Sequence, residues 1–108
     1  MKNLLINFGD CGGPVYSGRP KGAALRSTFK LDIVDLEKDK VVDVLVPEST
    51  YAITNSFFLG LFGPSVISAG TPEAFFSKFH FNAKPALQDS FNGYVANALQ
   101  ANRLAVGT

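Results

Sequence analysis

Leu4, Ile6 and Phe8 alternate with Leu5 and Asn7 before Gly9 and Asp10 interrupt the run, which predicts a short strand closed by a turn. Residues 9–14 (GDCGGP) are too glycine-dense for regular structure and are expected to form a tight loop. Val15 and Tyr16 then form a brief second strand, expected to pair back on the first as a hairpin. Ser17 and Gly18 suit a helix N-cap and Pro20 suits a first helical turn. Leu25, Phe29, Ile33 and Leu36 follow at spacings of four, four and three, one face of a helix expected to run to about Glu37. Residues 31–36 also alternate, so a stop near Lys30 is the competing pattern.

Residues 41–46 (VVDVLV) are nearly all β-branched and end at Pro47, a strand for the buried middle of a sheet. Helical character resumes at Thr54 or Asn55, either able to cap, and carries Phe57, Phe58, Leu61 and Phe62 to an expected end at Gly63-Pro64. Phe79 and Phe81 place a strand over about 78–82, with a helical turn around 73–77 as the alternative for the preceding residues. Leu87, Phe91, Tyr94, Val95 and Ala98 fit a last amphipathic helix, and the chain after Arg103 reads as a fraying tail. The order β-β-α-β-α-β-α predicts a single α/β domain over residues 1–108, with a four-stranded mixed sheet and about three helices.

Charge and composition narrow what such a domain does. With 46% apolar and 18% charged residues the chain can bury a core. A formal net charge of +1 is too weak a field to recruit nucleic acid by charge alone. The single Cys and single His leave no disulfide framework and argue against a zinc cluster, so no metal and no cofactor are expected. No apolar run approaches a membrane span, and the start, MKNLLINFGD, lacks the features of a signal peptide. A cytoplasmic protein is the expectation.

Three patches then resemble one family. Tyr16-Ser17-Gly18-Arg19 leads into Gly22, Leu25 and Arg26; residues 41–46 form a hydrophobic strand with an internal acid; and Ile53-Thr54-Asn55-Ser56-Phe57 precedes Leu61-Phe62-Gly63. In order and separation, over about residues 7–102, they resemble the STAS-like domains of unknown function found in bacteria and their mobile elements, relatives of anti-sigma-factor antagonists. The resemblance implies a non-catalytic regulatory module that docks onto a partner protein, a histidine-kinase-like ATPase or, if the gene is phage-borne, a host factor. It also implies a docking edge made of Thr54, Asn55, Ser56 and Phe57 beside Tyr16, Ser17 and Arg19. In the antagonists the corresponding turn carries an Asp-Ser-Ser-Gly-like motif whose first Ser is phosphorylated. Thr54 falls at the acid, Asn55 at that Ser, Ser56 at the second Ser and Phe57 at the Gly. Asn accepts no phosphate, so Thr54 or Ser56 would have to take it. A homodimer through short edge strands is a further expectation.

Other constellations compete with this reading. Gly9-Asp10-Cys11-Gly12-Gly13-Pro14 is similar to the nucleophile loop of chymotrypsin-like proteases, where backbone N–H groups form an oxyanion hole. Only ten residues precede Cys11, whereas that fold places its His and acid upstream, so the match reads as coincidence. A thiol hydrolase using Cys11 and His80 would need the first and last strands side by side. Arg19, Lys21 and Arg26 form a candidate anion or nucleotide site at the start of the first helix, without any Walker-type loop. Residues 35–40 (DLEKDK) read as a solvated helix end. Phe57, Phe58 and Phe62 read as core, with one ring left over as a contact for a partner.

Overall fold

A computed structural model describes residues 3–10, 15–37 and 39–106. Strand β1 (Asn3–Asn7) ends in a 3-10 turn over Phe8–Asp10, and β2 (Val15–Tyr16) follows. Helices α1 (Arg19–Thr28) and α2 (Leu31–Leu36) lead to β3 (Val41–Leu45) and β4 (Ala52–Ile53). Helices α3 (Asn55–Ala69) and α4 (Pro72–Lys78), strand β5 (Phe79–Asn82) and helix α5 (Pro85–Val106) complete the order. Among the described residues the result is an α/β domain with five α-helices and two small sheets, one of order β1-β3-β5 and one made of β2 and β4.

Every strand pairing among the described residues is parallel. The four-stranded mixed sheet and the first hairpin are therefore corrected: β1 pairs with β3 and β2 with β4. The hairpin expectation rested on adjacency in sequence. The long β-branched strand instead takes the centre of the larger sheet, where both of its edges find partners. Its inward residues Val42 and Val44 are buried with Ile6 and Phe79, and the outward parity carries Asp43 and Leu45.

The first long helix breaks where the alternation had offered a stop. Lys30 adopts a left-handed conformation (φ 56°), closing α1 and serving as the N-cap of α2. The redirection buries Leu31 and Val34 and leaves Ile33 and Leu36 exposed, so the face expected from Leu25, Phe29, Ile33 and Leu36 holds only in its first half. Helix α3 departs from expectation in the opposite sense. It runs through Gly63 and Pro64 to Ala69 and ends at Gly70 (φ 87°), a left-handed cap that glycine takes without steric cost. The alternative turn at 73–77 is realised as α4, capped by the Thr71 hydroxyl, which accepts from the Ala74 N–H at 3.1 Å. Helix α5 continues past Arg103 to Val106, where a fraying tail was expected.

Phenylalanine fills the space between the helices and the larger sheet. Phe58 lies 5.2 Å from Phe62 and 5.3 Å from Phe91, ring centre to ring centre, and Phe75 stacks on Phe79 at 4.8 Å. Offset and edge-on ring pairs of this kind each add to plain area burial. Phe57, Phe58 and Phe62 are each only 1% exposed, so none is the leftover contact ring.

Candidate functional site

The small β2–β4 sheet decides which turns meet. Its register sets Val15 against Ala52 and Tyr16 against Ile53. The ladder continues for one more bond, with the Thr54 N–H donating to the Tyr16 carbonyl at 2.9 Å. Both strands then turn directly into helices, so the first turns of α1 and α3 lie side by side. Residues 16–19 and 54–56, more than thirty positions apart in sequence, become one strip at the carboxyl ends of parallel strands, where open α/β sheets present their sites.

Two glycines hold that strip together. A Cβ on Gly22 would sit 2.2 Å from the Phe57 carbonyl oxygen, and one on Gly60 would sit 2.3 Å from the Arg19 carbonyl oxygen. Helices α1 and α3 thus touch backbone to backbone, closer than side chains would permit. Gly18, the N-cap of α1, has φ 91° and offers no side-chain cap. Thr54 caps α3, its hydroxyl accepting from the Phe57 N–H at 3.3 Å.

Ser17, Arg19, Asn55 and Ser56 are exposed and Thr54 is half-buried. Phe57 and Tyr16, grouped with them on sequence, belong instead to the core. Phe57 packs its ring 5.3 Å from that of Tyr16, whose hydroxyl donates to the Phe8 carbonyl at 2.6 Å. Neither first helical turn carries an acid, so both positive dipole ends stand beside the exposed Arg19 and Lys21.

Arg26 does not join Arg19 and Lys21 as an anion ligand. It is 6% exposed and fully engaged inside the protein. Nε donates to Asp32 at 2.9 Å, Nη1 to the Leu61 carbonyl at 3.0 Å and to Ser65 Oγ at 2.9 Å, and Nη2 to Asp35. The correction has a plain cause. Arg26 is one turn beyond Gly22 on the face that meets α3, and the break at Lys30 swings both aspartates back onto it. Its bonds to the Leu61 carbonyl and to Ser65 fix the guanidinium against the middle of α3.

The hydrolase reading needed the first and last strands side by side. β1 and β5 lie on opposite edges with β3 between them, so the first and last strands are not neighbours. His80 is exposed on β5; its Nε2 donates to the Ser77 carbonyl at 2.8 Å and its Nδ1 lies 3.9 Å from Asp43. Cys11, with Gly12, Gly13 and Pro14, lies outside the described residues.

Among the described residues no helix is long and apolar enough to cross a membrane. No protein family, curated protein or solved structure matches the chain.

Proposed function

We propose that the protein is a non-catalytic interaction module of STAS-like type that docks onto a partner protein through the strip formed by Ser17, Arg19, Thr54, Asn55 and Ser56. The observation that carries the reading is the parallel β2–β4 pairing with its added Thr54-to-Tyr16 bond, which joins two distant polar turns into one exposed surface. Two helix N-termini without an acidic residue in their first turns, together with Arg19 and Lys21, make the strip locally positive, so it fits a partner surface bearing carboxylates. A histidine-kinase-like ATPase is the partner class that the family resemblance suggests, and a host factor is the counterpart for a phage-borne gene.

Ser56 is the residue of the strip best suited to modification. Its side chain is exposed, whereas the Thr54 hydroxyl is occupied as the cap of α3. A phosphate there would be tolerated by the helix N-terminus and would reverse the local charge that the partner meets.

A photo-crosslinking residue at Ser56, with one at the exposed Asn92 of α5 as control, tests the reading in host cells. A discrete adduct is expected from Ser56 and not from Asn92, and Arg19→Glu should suppress it. No adduct from Ser56, or equal adducts from both positions, would refute docking at this strip. An adduct formed with a second copy of the chain would assign the surface to self-association instead.

A further inference from the structure

A crevice of about 480 Å³ opens at the other end of α3, bounded by the end of α2, the first residue of β3, the second half of α3 and α4. Its polar lining is Asp35, Lys40, Ser65, Ser68, Ser77 and Lys78, of which Ser68 and Ser77 are exposed. Val41, Ala69 and Ala74 provide the apolar part. From this chemistry we infer that the crevice binds a small hydroxylated anion, a sugar phosphate or a sugar acid. The site is independent of the docking strip.

The cationic half comes from the two lysines. Lys78 Nζ donates to the carbonyls of Val34 at 2.6 Å and Glu37 at 2.8 Å, the negative end of α2. An ammonium has three protons, and no carboxylate among the described residues lies within ion-pair distance of this one. The Lys40 ammonium pairs with Glu37 Oε1 at 3.1 Å. The one carboxylate lining the crevice, Asp35, is already held by Arg26. With Lys40 paired to Glu37 and Asp35 to Arg26, Lys78 is the lining charge left without a counter-ion among the described residues, and an anion would meet it.

The hydroxyl-recognising half comes from the buried cluster behind it. Ser65 is 2% exposed and accepts from Arg26, leaving its own O–H for a ligand acceptor. Asp35 Oδ2 takes the Arg26 bond, leaving Oδ1 to accept from a ligand hydroxyl. A buried charged network is an expensive way to pack two helices, and bordering a cavity it places fixed donors and acceptors where a polyol would need them. The volume suits a ligand the size of a hexose phosphate, with room for water.

Isothermal titration of the full chain with glucose 6-phosphate, gluconate, inorganic phosphate and glucose tests the assignment. Saturable binding of glucose 6-phosphate or gluconate is expected, about tenfold or more tighter than that of inorganic phosphate or glucose. The preferred probe of the first two tells a phosphate ligand from a carboxylate one. Ser68→Phe, a change at an exposed helix position that fills the mouth, should abolish binding while the circular dichroism spectrum is retained. Lys78→Gln should weaken it about tenfold. The assignment is overturned by absence of saturable binding at millimolar ligand, by equal binding of all four probes, or by binding that survives Ser68→Phe. Crosslinking from Ser56 has no part in any of these outcomes, so the crevice and the docking strip stand or fall separately.

Discussion

Arg26 shows how much depends on a single side chain. Three elements converge on it: it belongs to α1, bonds Asp32 and Asp35 of α2, and bonds Leu61 and Ser65 of α3. Asp32 is mostly solvated and contributes little, because water screens the pair. Asp35, with its side chain 11% exposed, is the partner that loses most if the guanidinium goes. Arg26→Met should therefore destabilise the protein by about 3–5 kcal/mol, the penalty of an orphaned buried carboxylate. Adding Asp35→Leu should restore much of that loss, because the pair removed together leaves no stranded charge. Urea unfolding of the single and double variants measures both, and a double variant as unstable as the single one would show that Asp35 is not the cause. The role of this arginine was hidden in the sequence. Its spacing from Arg19 and Lys21 pointed to a shared basic face, and nothing local announced that Lys30 would turn left-handed and bring two acids back. By contrast the Thr54 cap was legible, since a short polar residue before an apolar helical run satisfies N–H groups within three positions of itself.

At the scale of elements, the α1–α3 crossing is set by glycine. Gly22 and Gly60 stand where a Cβ would meet backbone atoms of the other helix, so the approach cannot be relieved by moving a flexible side chain. Gly60→Ala should cost about 2–3 kcal/mol and loosen the strip at the start of both helices. Gly93, in α5, provides the contrast, since nothing lies within 4 Å of a Cβ placed there. Gly93→Ala should stabilise by about 1 kcal/mol through helix propensity alone. Thermal unfolding that moved both variants in the same direction would contradict this account of the crossing. Which elements exist was largely legible: β3 from its β-branched run, α5 from its periodicity, β5 from the parity of Phe79 and Phe81. Their limits were less so. Pro64 marks a helix end by its own chemistry, yet α3 passes through it because the packing of its buried apolar residues on both sides of Pro64 outweighs the missing N–H.

The whole molecule has an asymmetry that follows from strand order. β1, β3 and β5 step across the larger sheet in one direction, with helices in each connection. Parallel crossovers are nearly always right-handed, and two in the same direction deliver both sets of helices to the same face. A reversal of direction would have been needed to cover the other. That face accordingly carries Leu5, Asp43 and His80 across one row and Leu45 and Asn82 across the next, around a shallow hollow of about 300 Å³. Short-range patterns could not reveal this, because the order of strands in a sheet is fixed by long-range pairing; they led instead to a hairpin and a mixed sheet. One-sided cover makes a sharp prediction about tolerance. Leu5 is 58% exposed, so Leu5→Lys should change stability by no more than about 0.5 kcal/mol. Val42, its neighbour in space on the covered face, is fully buried, and Val42→Lys should leave the chain unable to fold because the ammonium would have no partner in the phenylalanine core. Chemical unfolding of Leu5→Lys at several protein concentrations is the decisive measurement. A loss of several kcal/mol that grows with concentration in the parent would mean that a second copy covers this face, whereas a small and concentration-independent change is what a solvated face requires.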